Sequence, residues 1–178
     1  NASEVETLAL EVEDTGGVVL VPAFTGLGAP YWDPDARGLL IGMTRGTSRA
    51  HIARAALESI ALQVADVTKA MQDDARTTLR ELRVDGGASV NNSLMQLQSD
   101  LLDVPIVRPC QTESTALGAA CLAGLGVGIW ESTEQISNVW QADAHFKPQI
   151  PNSERQHHFN RWAKAVDRAG NWDKEDQS

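Results

Sequence analysis

The stretch Leu82-Arg83-Val84-Asp85-Gly86-Gly87-Ala88-Ser89-Val90-Asn91-Asn92 decides how this chain is read. Leu79 to Val84 predicts a strand that runs straight into a double glycine. A helix is expected from about Asn91 to Leu102, with Leu94, Leu97 and Leu101 on one face. Two glycines at such a bend permit positive φ and close approach of a ligand to the backbone. The helix start beyond them presents unpaired N–H groups and the positive end of its dipole, which suits a phosphate. Asn91 stands where its amide could meet a nucleotide. The same residues also describe an ordinary strand-to-helix turn with Asn91 as the N-cap. A lone Gly-Gly pair does not separate the two readings.

Working outward, Val18 to Val21 reads as a buried strand between Gly16-Gly17 and Pro22, after a polar, Glu-rich stretch expected as a short helix or loop. Ala23 to Arg37 predicts a long ordered loop whose Tyr31 and Trp32 pack against something. Leu39 to Met43 resumes as a strand. Ser48 is a plausible N-cap for a helix to about Asp73, with Ile52, Ala55, Ala56, Ile60 and Val64 expected on its core face. Val104 to Val107 is expected as an edge strand because Pro105 interrupts it. Small residues in Thr115-Ala116-Leu117-Gly118-Ala119-Ala120 predict a helix, Ser114 to Leu125, lying close against a neighbour. A short helix is expected over Ser132 to Val139 and a terminal one over Ser153 to Trp172. The strand–helix alternation after residue 80 implies parallel pairing in a layered α/β domain.

The 178 residues suit one domain, and 42% apolar content is enough for a core. Fifteen basic against 24 acidic residues leave a net charge of -9, which argues against nucleic acid or an anionic membrane as partner. No apolar run reaches a membrane span of about 20 residues. Cys110 and Cys121 are too few for a disulfide scaffold and lack metal spacing, so packed, reduced thiols in a cytoplasmic protein are expected. The acidic start without Met suggests a processed or excised chain.

Read together, the segments resemble a known family. Gly38-x-Leu40-x-Gly42-Met43, seven residues, then His51-Ile52-x-x-Ala55-Ala56-Leu57-Glu58 is similar to the second signature of the FGGY carbohydrate kinases. Phe24-Thr25-Gly26-Leu27-Gly28-Ala29-Pro30-Tyr31-Trp32-Asp33-Pro34 resembles the glycerol kinase branch, as do Arg83 to Ala88 and Thr115 to Ala120. The similarity covers residues 17–172, and its specificity lies in the combination and order of the motifs.

The resemblance implies an α/β actin-like ATPase (ribonuclease H-like) fold, a mixed sheet with flanking helices. It implies ATP with Mg²⁺ as cofactors and phosphorylation of glycerol to sn-glycerol 3-phosphate by the intact enzyme. Residues 1–178 would then be its C-terminal nucleotide-binding domain, with Gly87 and Asn91 matching the nucleotide contacts and Gly86 and Ala88 beside them. No catalytic or metal-ligating residue is assigned. The family's Asp-Gln base, its glycerol contacts and its Gly-Thr-Gly phosphate loop lie upstream of the matched region. The only Asp-Gln here, Asp176-Gln177, falls in the polar tail beyond the match. The chain alone is therefore expected to be inactive, with glycerol bound through the missing N-terminal domain. Alternatives are an FGGY kinase of another substrate, such as xylulose or gluconate, or a non-catalytic actin-like module; the Phe24–Pro34 loop favours the enzyme. A missing opening strand would expose a sheet edge, so a homo-oligomer is possible.

Other residues read as structural. His157 and His158 are expected on a solvated helix face, and Trp130, Trp140, Trp162 and Trp172 in packing. Arg45 and Arg54 are read as possible ion-pair partners.

Overall fold

A computed structural model describes residues 4–137 and 140–174. A short helix, α1 (Val5–Ala9), precedes an antiparallel hairpin of β1 (Val19–Val21) and β2 (Leu39–Ile41), in register at Leu20 and Leu40. Then come α2 (Arg49–Ala75), β3 (Leu82–Arg83), a 3-10 turn (Gly87–Val90), α3 (Asn92–Leu102) and β4 (Ile106–Pro109). Helices α4 (Ser114–Gly126) and α5 (Thr133–Ser137), strand β5 (Ala142–Phe146) and helix α6 (Asn152–Ala169) complete the described chain.

Helix α2 begins where Ser48 is extended and its N–H donates to His51 Nδ1 at 3.1 Å. It stops at Arg76, whose left-handed backbone turns its N–H onto the carbonyls of Gln72 and Asp73. Its core face differs from the expected one. Of the expected residues Ala55 is buried, together with Ala50, Ala53, Leu57, Ala61 and Ala65, whereas Ile52 and Ile60 are exposed and Ala56 and Val64 are half-buried. Small residues on the inner face let α1, α3 and the β1–β2 hairpin approach α2 closely.

The second sheet has the order β3-β4-β5. β3 and β4 are parallel, with Leu82 opposite Ile106, and β4 and β5 are antiparallel, with Ile106 opposite Phe146. β4 is thus the central strand, not an edge. Pro105 lies one residue outside it, where its missing N–H costs no ladder bond, and its carbonyl accepts from Leu82 N–H at 2.9 Å. β5 lies in a stretch for which the sequence predicted no strand.

The two sheets and helices α2, α3 and α6 share one core, in which Val21, Ile106 and Trp162 are at most 1% exposed. Trp162 also donates its indole N–H to Asp66 at 2.5 Å. Tyr31 donates to the same carboxylate oxygen at 2.6 Å and so anchors its loop. Trp32 does not: it is exposed, as are Phe24 and Trp172. The loop's order comes from its backbone, where Leu27 and Asp33 exchange N–H···O bonds of 2.7 and 2.9 Å. Asp33 also accepts from Asn171 N–H at 2.7 Å, and from Asp35 and Ala36. These bonds, with Asn171's the largest effect, hold its carboxyl below the usual range.

Helix α4 departs most from expectation. Only Cys121 and Gly124 in it are buried, and Thr115 to Ala120 face outward or are half-buried rather than packed. Cys110 is exposed, so only one of the two thiols is packed. The short helix expected through Val139 is described only as far as Ser137, and Asp176-Gln177 lies outside the described residues. No helix among the described residues is long and apolar enough to cross a membrane.

Candidate functional site

The bend after β3 is set by Gly86, at φ +79° and ψ 172°, a backbone region open essentially to glycine. Its N–H donates to Thr112 O at 2.7 Å, which ties the bend to the segment following β4. Its carbonyl accepts both the Ser89 hydroxyl, at 2.7 Å, and the Ser89 N–H, at 3.1 Å. Ser89 is 2% exposed, so these bonds lock the turn from inside.

Arg108 of β4 supports the same turn from below. Its Nη1 donates to Ser89 O and Asn92 Oδ1, each at 2.9 Å, and its Nη2 pairs with Asp143 of β5 at 2.7 Å. The central strand therefore fixes the bend, a relation invisible in the linear spacing of Arg108 and Gly86.

Asn91 is the N-cap of α3: its Oδ1 accepts from Leu94 N–H at 2.8 Å. The capping reading is thus realised, and it does not consume the residue, because the Nδ2 amino group remains a donor. Gly87 and Ala88 are exposed on the outer side of the turn. A Cβ added at Gly86 or at Gly87 would meet nothing within 4 Å. The structure brings Gly86, Gly87, Ala88 and Asn91 together as one unobstructed backbone corner.

A more enclosed hollow of about 290 Å³ lies elsewhere, between the β1 edge, α2 and α6. There Glu58, 9% exposed, faces His158 at 3.5 Å and Arg54 at 3.8 Å. Sequence reading placed His158 on a solvated face; it is half-buried, because α6 turns it onto α2 while His157 remains exposed. The hydrogen bond to Glu58 raises the His158 pKa, against an opposing contribution from burial. Arg54 meets its ion-pair expectation and also donates to Val12 O at 3.2 Å. Arg45 is exposed and has no ion-pair partner among the described residues.

The profile of the FGGY family of carbohydrate kinases, C-terminal domain, matches residues 1–127. The chain belongs to the FGGY carbohydrate kinases. A glycerol kinase of Herminiimonas arsenicoxydans is 58% identical over 172 residues, which is 97% of this chain and 34% of that protein. A glycerol kinase of Deinococcus radiodurans is 55% identical across all of this chain and 36% of its own length. This FGGY chain thus spans about a third of the length of the curated relatives it matches.

Among solved structures, Plasmodium falciparum glycerol kinase with ADP superposes with a TM-score of 0.86 at 40% identity, covering 95% of this chain and 34% of that one. A ligand-bound xylulose kinase from Lactobacillus acidophilus superposes at 0.76 and 24% identity, over 94% of this chain and 34% of its own, a likeness of fold alone. The fold is therefore the α/β actin-like ATPase fold of the FGGY kinases, with the mixed sheet and flanking helices described above.

Proposed function

We propose that residues 1–178 are the C-terminal nucleotide-binding part of a glycerol kinase, which transfers the γ-phosphoryl group of ATP to glycerol. The observation that carries this reading is the open corner at Gly86 and Gly87, buttressed by Ser89 and Arg108 and vacant where a Cβ would stand. A rigid, side-chain-free corner lets a nucleotide lie against the backbone, and preorganised donors favour its phosphates. Gly87 and Ala88 offer their exposed backbone and Asn91 its amino group, while Gly86 supplies the bend. The choice of glycerol over another polyol or sugar is supported by relatives at 55–59% identity.

Bound ATP supplies the transferable phosphoryl group. This chain's own share is to orient the nucleotide; the base that accepts the glycerol proton and the glycerol contacts would come from the remaining two-thirds of a full-length enzyme. No group of three or more metal-ligating side chains occurs among the described residues. Mg²⁺ would therefore arrive with the nucleotide phosphates and with residues outside this chain. The chain by itself is then a weak nucleotide binder without kinase activity.

An NMR titration of the ¹⁵N-labelled chain with ADP tests this. The amide signals of Gly86, Gly87, Ala88 and Asn91 should shift together with a Kd of about 1 mM or weaker, since half a cleft buries little of the ligand. Shifts centred elsewhere, or none at saturating ADP, would reject the site. Phosphorylation of glycerol by the purified chain would reject the division of labour.

A further inference from the structure

Helix α6 gathers positive charge on one side. Arg161, Lys164 and Arg168 are spaced three and four residues apart, so at 3.6 residues per turn they fall within about 60° of one another. Like charges at these spacings repel along a helix. Among the described residues no carboxylate relieves them, and none of the three has an ion-pair partner. The acids of α6 are Glu154, about two turns before Arg161, and Asp167, about 100° round the helix from Arg168. Strands β1 and β2, which pack on α6, carry no charged residue. The helix dipole accounts for Arg168, in the last turn, but does not reach Arg161, about two turns earlier.

Arg161 is held in place. Its Nη2 donates to Gly17 O, and a Cβ at Gly17 or Gly42 would stand 3.4 or 3.5 Å from that nitrogen. These glycines have φ of +83° and +89°, so the guanidinium rests on bare backbone that other residues would not readily form. Arg168 folds back along the same ridge, its Nη1 donating to Lys164 O at 2.8 Å. Most of the five N–H donors of each guanidinium are left for another acceptor.

The three cations rim a hollow of about 240 Å³ whose remaining lining, apart from Gly42, is aliphatic: Val19, Ile41 and Ala165. At about 30 Å³ per water-sized group it holds about eight non-hydrogen atoms.

We propose that this hollow binds a small phosphate monoester with an apolar body. The phosphate lies among Arg161, Lys164 and Arg168, and the hydrocarbon lies against Val19, Ile41 and Ala165. Guanidinium groups present paired donors to phosphate oxygens, and a doubly charged head offsets most of the local positive charge. Inorganic phosphate would leave the aliphatic lining wet, and a neutral hydrocarbon would leave the cations uncompensated. A phosphate monoester with a short alkyl group meets both requirements. The hollow shares no residue with the corner at Gly86 and Gly87, so the inference stands apart from the nucleotide reading.

NMR titration of the ¹⁵N-labelled chain with hexyl phosphate, in the presence of saturating ADP, tests it. The amides of Val19, Ile41, Gly42 and Ala165 and the Arg161 Nε–H should shift together with a Kd of about 1 mM, as suits a ligand of this size. Inorganic phosphate and hexanol should each bind about tenfold more weakly or worse, since each meets half of the site. Lys164→Gln/Arg168→Gln should weaken hexyl phosphate about 3–10-fold, because two exposed charge contacts are lost. Circular dichroism checks that this variant is folded, which its exposed positions favour. On the wild type, raising NaCl from about 50 to about 500 mM should weaken binding about threefold or more, a test that needs no variant. Absence of saturable shifts up to about 10 mM hexyl phosphate would overturn the proposal. Shifts centred on Gly86 to Asn91 would overturn it too, as would hexanol or inorganic phosphate binding as tightly as the ester. An affinity indifferent to salt or to the double variant would remove the role of the cations and overturn it equally.

Discussion

His158 Nδ1 stands 3.5 Å from Glu58 Oε2, joining α6 to the buried side of α2. This pair makes stability depend on pH. Glu58 is nearly buried, so a charged His158 offsets its isolation, and the His158 pKa is raised in the folded chain. Arg54, on the same helix as Glu58, opposes the protonated form, and Glu154, on the helix of His158, favours it.

A group with a raised folded pKa contributes stability that is fully present below its unfolded pKa and is lost as pH rises through the folded value. Urea midpoints should therefore fall between about pH 5.5 and about pH 8.5. His158→Asn should remove that component of the slope, with a difference of no more than about 1 kcal/mol because the pair is partly solvated. An identical slope in the variant would show that the pair does not titrate with folding.

Asp66 joins the Phe24–Pro34 loop to the core through one oxygen, which accepts from both Tyr31 and Trp162. Asp66→Ala should leave the buried Trp162 N–H unpaired and cost about 1–3 kcal/mol in chemical denaturation. Burial, then the hydrogen bond and charge of Asp66, push the Tyr31 phenol pKa up. In the variant the phenol should ionise at lower pH in an ultraviolet titration. An unmoved phenol would mean that burial alone raises it.

Gly42 is constrained twice. Its φ is +89°, and a Cβ there would press on the backbone oxygen of Gly17. Neither the dihedral nor a backbone oxygen yields cheaply, so Gly42→Ala should cost roughly 3 kcal/mol. A melting temperature lower by roughly 6–12 °C would follow for a chain of this size. A loss under about 2 °C would show that the hairpin relaxes freely.

Gly87 and Asn91 should respond differently to substitution. Gly87→Val puts its side chain where nothing stands within 4 Å and its φ is not left-handed, so folding should be little changed. ADP binding should fall about tenfold or more, since the valine occupies ligand space. Asn91→Ala removes the cap on Leu94 N–H and should cost about 1 kcal/mol in stability along with a binding loss. Equal ADP affinity for Gly87→Val and wild type would move the nucleotide elsewhere.

Local features of the fold were legible in the residues because their causes are local. Gly86 marks a bend only glycine makes easily, Asn91 caps the helix it precedes, and Ser48 starts α2. Burial was harder to read. α2 carries apolar residues on opposite sides, and Ala50, Ala53, Leu57 and Ala61 face the core only because α1, α3 and the first hairpin lie there. The larger Ile52 and Ile60, the stronger hydrophobic signal, face out. Ala142-Asp-Ala-His-Phe146 lacks a strand composition and becomes β5 by pairing with β4.

The candidate site divides in the same way. Short-range stereochemistry determined from sequence alone that a glycine corner would open a helix, because backbone freedom and capping depend on adjacent residues. Only the tertiary structure decided that Ser89 and Arg108 would brace this corner, that His158 would meet Glu58, and that α2 would keep an apolar stripe in solvent. Those outcomes depend on which distant segments come into contact, and contact between remote residues is set by packing the whole core.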